Sequence, residues 1–153
     1  MITLDTHALI WWLNGDKSLS GTALKAINNA MKSGCIYVSA ISAWEIAMLI
    51  RADRLVMAMP LNEWIEKIEK LPFIKFVPVS NEIALDSVNL PGEFHKDPAD
   101  RIIVSTARIN NSTLITSDKK ILSYPHVKTW IGNIYLCNFY SVAFDNLYST
   151  GVM

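Results

Sequence analysis

Cysteine is scarce in this sequence. Its two cysteines, Cys35 and Cys137, make no disulfide framework and match no zinc-ligand spacing. Both are expected as buried free thiols in a reducing compartment. Charge of one sign is also missing, since fourteen Lys and Arg balance fourteen Asp and Glu. That argues against a protein that holds nucleic acid by bulk positive charge, though not against one that carries its cations as bound metal. The longest charge-free stretch, between Lys128 and Asp145, is 16 residues long and includes Gly132, Asn133 and Asn138. A spanning helix needs about 20 apolar residues, so no membrane segment is expected. The first residues, Met1-Ile2-Thr3-Leu4-Asp5, lack the basic region of a signal peptide. Neither G-x-G-x-x-G nor a P-loop occurs. Repeats, low-complexity tracts and linkers are absent too. A cytoplasmic protein is expected.

The residues present are enough for one ordinary domain of 153 residues, 51% of them hydrophobic. Short apolar runs at Ile2–Leu4, Cys35–Val38, Ile74–Val79 and Thr113–Thr116 predict strands, with Lys128–Trp130 as a candidate last one. Helical patterns lie between them. Ala8–Leu13 is closed by Asn14-Gly15. Ser20–Ser33 is followed by Gly34, the residue that most readily ends a helix in left-handed backbone. Ser42–Arg51 opens with Ser42-x-x-Glu45. A helix from Pro60 carries Leu61, Trp64, Ile65, Ile68 and Leu71 at helical spacing, Asn81–Val88 is a short one, and Pro98–Ile109 has proline at its first position. Strands alternating with helices predict an α/β fold, a central parallel sheet with helices on both faces.

Sites in such sheets lie at the carboxyl ends of the strands, and acids fall there. Asp5 terminates the first strand, Glu45 lies in the first turn after the second, Asp97 and Asp100 open the Pro98 helix, and Asp118 follows Thr116 after Ser117. Most have a structural use as well. Glu45 would complete a capping box with Ser42. Asp97 and Asp118 would cap helices, and Asp100 would favour a helix dipole. Asp5, at the end of a buried strand and before another apolar run, is harder to explain structurally. If these carboxylates converge, they cannot all stay ionised without a cation. Oxygen-only ligands select Mg²⁺ or Mn²⁺ over zinc. Such an ion serves hydrolysis of a phosphodiester.

Four segments resemble the PIN-domain ribonucleases, in family order. They are Leu4-Asp5-Thr6-His7-Ala8-Leu9-Ile10-Trp11-Trp12-Leu13, Val38-Ser39-Ala40-Ile41-Ser42-Ala43-Trp44-Glu45-Ile46-Ala47, His95-Lys96-Asp97-Pro98-Ala99-Asp100-Arg101-Ile102-Ile103-Val104 and Leu114-Ile115-Thr116-Ser117-Asp118. Within that family they are most similar to the VapC-type toxins of bacterial toxin–antitoxin pairs, over about residues 1–130. The resemblance implies a PIN-like fold and a Mg²⁺- or Mn²⁺-dependent endoribonuclease. It implies an RNA substrate, inhibition by a cognate antitoxin, and a homodimer, for which the apolar first helices would suit an interface. It assigns the metal to Asp5, Glu45, Asp100 and Asp118, with Asp5 and Asp100 holding it most directly and Asp97 supporting. Thr6, Thr116 and Ser117 would orient carboxylates or water, and Arg101 would steady an acid or a phosphate.

Other readings weighed against this one are an aspartyl-nucleophile phosphatase and a catalytically silent PIN module that binds RNA or protein. The phosphatase needs a second acid two residues after the first, where this chain has His7. The silent module would be favoured by loss of an acid, and none is lost. His7 is expected as a helix-start hydrogen bonder, and His95 and His126 as loop residues. Trp11, Trp12, Trp44 and Trp64 are expected in core or interface packing. Lys96, Arg108, Lys119 and Lys120 are read either as RNA-backbone contacts or as solvated charges. Residues 131–153 form an apolar aromatic extension of unassigned role, where the family usually stops soon after a tryptophan like Trp130. It holds Tyr135, Phe139, Tyr140, Phe144 and Tyr148, and its only charged residue is Asp145.

Overall fold

Apolar strands too short to alternate need cover on both sides, and that requirement shapes the fold. A computed structural model describes residues 1–131 and the backbone of 140–142. Five strands, β1 (Ile2–Leu4), β2 (Ile36–Ser39), β4 (Ile74–Val77), β5 (Thr113–Thr116) and β6 (Thr129–Ile131), form one sheet in the order β4-β2-β1-β5-β6. Every pairing is parallel. β1 is central, with Leu4 opposite Val38 on one side and Ile115 on the other.

The two faces are covered separately. Ile115, fully buried, belongs to a core shared with α1 (Thr6–Asn14), α2 (Gly21–Ser33), α3 (Ile41–Arg51) and α4 (Leu61–Glu69). Its neighbour Leu114 turns the other way, against Ile103, Val104 and Ala107 of α6 (Pro98–Ile109) and Ile121 of α7 (Lys119–Leu122). Adjacent strand residues pointing to opposite faces produce this division. α5 (Asn81–Val88) precedes the loop that leads to α6.

Local chemistry explains the helix ends. Ser20 caps α2 by accepting from Ala23 N, and Gly34 closes it at φ 70°. Gly15 closes α1 at φ 62°. α1 begins at Thr6, two residues before the expected Ala8, because Asp5 stands at its N-cap position. A further strand, β3 (Leu55–Met57), was not expected. It pairs with β7 (Tyr140–Val142), far along the chain. Apart from β7, the aromatic extension beyond residue 131 lies outside the described residues.

In the first helices Leu9, Ile10, Trp11, Leu13 and Ile27 are buried within the domain, while Leu24 of α2 is exposed. Further exposed apolar residues sit on α3, at Trp44 and Met48, and on α5, at Leu85 and Val88. Trp11 and Trp64 are core residues, and Trp12 packs against the same core. Among the described residues, no helix is long and apolar enough to cross a membrane.

Candidate active site

The sheet order reverses direction at β1. The chain first builds outward through β2 and β4, then returns to place β5 on β1's other side. In open parallel sheets the crevice at that reversal, beyond the strands' carboxyl ends, is where sites form. β1 and β5 deliver Asp5 and Thr116 there.

Asp5 is 95% buried, with a relative exposure of 5%. It occupies the N-cap position of α1 in extended backbone, yet its side chain makes no capping bond. Its Oδ2 instead accepts from the hydroxyl of Thr116 at 2.7 Å. That hydroxyl in turn accepts from the backbone N–H of Asp118 at 3.0 Å. One buried threonine therefore fixes two acids from different elements. Asp118 caps α7, its Oδ1 accepting from Lys120 N at 2.6 Å and Ile121 N at 3.2 Å. Asp97 caps α6 in the same way through Oδ1, from Ala99 N at 3.0 Å and Asp100 N at 3.4 Å. In both, Oδ2 is left out of the cap.

Glu45 does not complete a capping box. α3 begins at Ile41, with Ala40 as its N-cap and no side-chain capping bond. Ser42 therefore lies inside the helix, where its Oγ stands 2.9 Å from Thr6 Oγ1. The Glu45 carboxylate is free to turn toward the strand ends, where Thr6 donates to its Oε2 at 2.6 Å. Thr6 thus holds Glu45, and Thr116 holds Asp5 and the backbone of Asp118. Ser117 makes no such contact with an acid among the described hydrogen bonds.

Electrostatics show that the acids share one field. Burial pushes Asp100 up to about 8, with Asp5, Asp97, Glu45 and Asp118 adding to the rise. Glu45 is pushed up to about 7, first by burial and then by Asp5 and Asp97, against the lowering effect of the Thr6 hydrogen bond. Gathered carboxylates repel one another and hold protons that isolated ones would lose. Among the described residues, no three acid, histidine or cysteine side chains enclose a common point tightly enough to grip an ion as they stand. The donor set is nevertheless oxygen only, and its unmet repulsion is what a hard divalent cation relieves.

Arg101 makes no ion pair with an acid among the described residues. Its guanidinium donates to four backbone carbonyls, those of Ser87 at 2.7 Å, Val88 at 3.1 Å, Phe94 at 3.2 Å and His95 at 3.1 Å. It fastens the α5–α6 loop to α6. Arg108 likewise pairs with Asp86 and donates to the His126 carbonyl. Lys96, Lys119 and Lys120 are exposed beside the acids.

His95 was expected as a loop residue, but the pinned loop carries it into the site. Its Nε2 is 3.3 Å from Asp100 Oδ2, out of line for a hydrogen bond. Its ring lies 4.2 Å from that of Phe94, which packs on Tyr124 at 4.6 Å. Burial and the nearby Lys120 hold its pKa below the usual histidine value. Its place two residues before Asp97 was the only cue in the sequence.

Fold and site together define an α/β domain whose acids gather at the carboxyl ends of parallel strands, chemically suited to a hard cation. The sequence profile of the PIN domain matches residues 2–127, and the chain belongs to that family. It is 33% identical over 125 residues to Ribonuclease VapC22 of Mycobacterium tuberculosis, covering 82% of this chain and 92% of that one. Among solved structures, it is similar to VapBC2 from Rickettsia felis bound to a promoter DNA fragment. The TM-score there is 0.63 at 16% identity, over 87% of this chain and all of the other. A toxin–antitoxin complex from Klebsiella pneumoniae matches with a TM-score of 0.58 at 20% identity, over 90% of this chain and all of that one. At those identities the two structures establish the fold.

Proposed function

We propose that the protein is a metal-dependent endoribonuclease, the toxin of a toxin–antitoxin pair, which hydrolyses RNA phosphodiester bonds and is held inactive by a cognate antitoxin. The observation that carries the reading is the convergence of acids at the strands' carboxyl ends around the buried Asp5. Asp5 is turned away from the helix it heads and tied to Thr116, and with Asp97, Glu45 and Asp118 it acts on Asp100. The relationship to a VapC ribonuclease over most of the chain supports the reaction. The antitoxin partner is supported by structural relatives solved as toxin–antitoxin complexes.

Asp5, Asp100, Glu45 and Asp118 would hold Mg²⁺ or Mn²⁺, with Asp97 beside them. When bound, the ion would supply positive charge to the phosphodiester and acidify an attacking water. The chain's own residues do the positioning. Thr116 keeps the Asp5 carboxylate facing the crevice and fixes the start of the turn that carries Asp118. Thr6 orients Glu45. Ser117 stands next to this turn and would orient water. Arg101 holds the loop bearing His95 against Asp100. Exposed Lys96, Lys119 and Lys120 offer contacts to the RNA backbone at the rim.

A homodimer is part of the reading, with the exposed Leu85 and Val88 of α5 as its apolar surface. A cytoplasmic location is part of the same reading.

The test is RNA cleavage by purified, antitoxin-free protein in Mg²⁺, in EDTA, and with Asp5→Asn replacing the wild type. Cleavage that needs both the ion and Asp5 is the expected result. A folded wild type that leaves total cellular RNA intact in Mg²⁺ and in Mn²⁺ would overturn the assignment and favour the silent binding module.

A further inference from the structure

Each acid of the crevice but one has an oxygen held by a donor of the chain. Thr116 holds Asp5, Thr6 holds Glu45, and backbone N–H groups hold Asp97 and Asp118. The exception is Asp100, whose carboxyl accepts none of the described hydrogen bonds. The polar side chain that meets it is His95, with Nε2 3.3 Å from Oδ2. That nitrogen is itself buried and without a hydrogen-bond partner. An acid lacking a donor therefore faces a nitrogen lacking a partner.

The imidazole is fixed there from two sides. Its backbone is held through the His95 and Phe94 carbonyls, which both accept from Nη1 of Arg101. Its ring rests on Phe94, Phe94 rests on the buried Tyr124, and Tyr124 packs on His126 at 5.3 Å. The Tyr124 hydroxyl donates to the Pro91 carbonyl at 2.6 Å, which ties the stack back to the start of the same loop. An ordinary loop histidine keeps its rotamer freedom. This one has given it up with one nitrogen set against one carboxyl.

We propose that His95 is the positioning residue for Asp100, its Nε2–H donating to Oδ2 and so fixing the carboxylate that a divalent cation would bind. The inference rests on the metal-dependent reading above and adds to it a residue that is not an acid. Carboxylates that ligate metals are themselves hydrogen-bonded as a rule. The terminal torsion of an aspartate is soft, so a small turn of Asp100 brings the pair into line. An imidazole can present Nε2 as a donor whether neutral or charged, so the role does not depend on the protonation of His95.

The test is calorimetric Mn²⁺ binding to the metal-free full chain, in the wild type and in His95→Gln, His95→Phe and His95→Ala. Gln keeps a donor near the place of Nε2, and Phe keeps a ring on Phe94 without one. Ala and Phe should each weaken Mn²⁺ binding by about 10–100-fold, and Gln by less than about 5-fold. In the cleavage assay, the Mn²⁺ needed for half-maximal rate should rise by the same factors, with a smaller change in rate at saturating Mn²⁺. In an Asp100→Asn background, His95→Phe should cost little more. A Phe variant that binds as the wild type does would reduce the ring to packing and overturn the proposal. Equal losses in Gln and Phe, or fully additive losses with Asp100→Asn, would overturn it as well. A wild type that binds no Mn²⁺ overturns the metal-dependent reading too, whereas a binding wild type with unimpaired His95 variants overturns this inference alone. Should the variants not fold, ¹⁵N NMR of the histidine rings in the unaltered chain decides the matter. A His95 Nε2–H that becomes protected from exchange as Mg²⁺ is added supports the role, and a ring protonated only at Nδ1 refutes it.

Discussion

Replacing Asp100 with Asn should stabilise the metal-free protein at alkaline pH and leave it unchanged in acid. Asp100 holds its proton up to about 8, where an ordinary aspartate holds it to 3.8. The folded chain therefore binds a proton that the unfolded chain releases throughout that window. Stability must fall as pH rises through it, with no penalty below about pH 4 and the full penalty above about pH 8. At about 1.4 kcal/mol per pKa unit, the shift sets a ceiling near 6 kcal/mol. The real penalty is smaller, because the side chain is 21% exposed and Glu45, itself raised to about 7, takes up part of the proton. After that discount for water and coupling, Asp100→Asn should gain about 2–3 kcal/mol at pH 8.5 in EDTA. At this chain length, that raises Tm by roughly 5–10 °C. At pH 4 the neutral acid and the amide are close in shape, and the gain should vanish. Urea unfolding at both pH values measures it. Saturating Mg²⁺ or Mn²⁺ should reverse the order, because the ion stabilises only a chain with its ligands intact. A variant equal to or weaker than wild type at pH 8.5 in EDTA would refute the claim that these carboxylates crowd one another.

Thr116→Val keeps the shape but strips Asp5 Oδ2 and Asp118 N of their shared partner. It should cost about 1–3 kcal/mol in urea unfolding and lower RNA cleavage with little change in overall fold. Arg101→Lys cannot reproduce a fork that reaches four carbonyls. It should destabilise by about 2–4 kcal/mol and speed hydrogen exchange at residues 88–95, while leaving β1 amides protected. Exchange confined to its wild-type pattern would count against the loop-fastening role. In the cleavage assay, Asp5→Asn should remove activity while thermal unfolding stays cooperative; substantial residual activity would displace Asp5 from the metal.

Much of the fold was legible because its signals are local. Gly15 and Gly34 ended helices where expected, Pro98 opened α6, and the apolar runs became strands with bounds shifted by a residue or two. β3 was not legible, since Leu55–Met57 is too short to announce itself and its partner lies at residues 140–142. The capping box failed for a related reason. Ser42-x-x-Glu45 has the correct spacing, but the helix starts one residue earlier and Ser42 lies inside it beside Thr6. Arg101 sits next to an acid in sequence, yet its guanidinium turns back to the preceding loop. His95 could not be told from any loop histidine until that loop was fastened down.

The acids show what separates a structural carboxylate from a chemical one. Asp5, Asp97 and Asp118 all stand at helix N-cap positions. That position is where an acid is useful whether or not a site exists. In Asp97 and Asp118 the cap is made, and it holds the carboxylate by one oxygen while leaving the other unused by the helix. Asp5 lacks the cap altogether and accepts from Thr116 across the sheet. Helix α1 thus forgoes a stabilising bond of about 1 kcal/mol at its start. A buried acid kept off the nearest N–H groups and turned toward other acids is disfavoured in the empty protein. Its position makes physical sense when a cation completes the cluster. In the proposed reading, a chain with no net charge would meet a polyanion through the ion at the crevice together with the lysines at its rim.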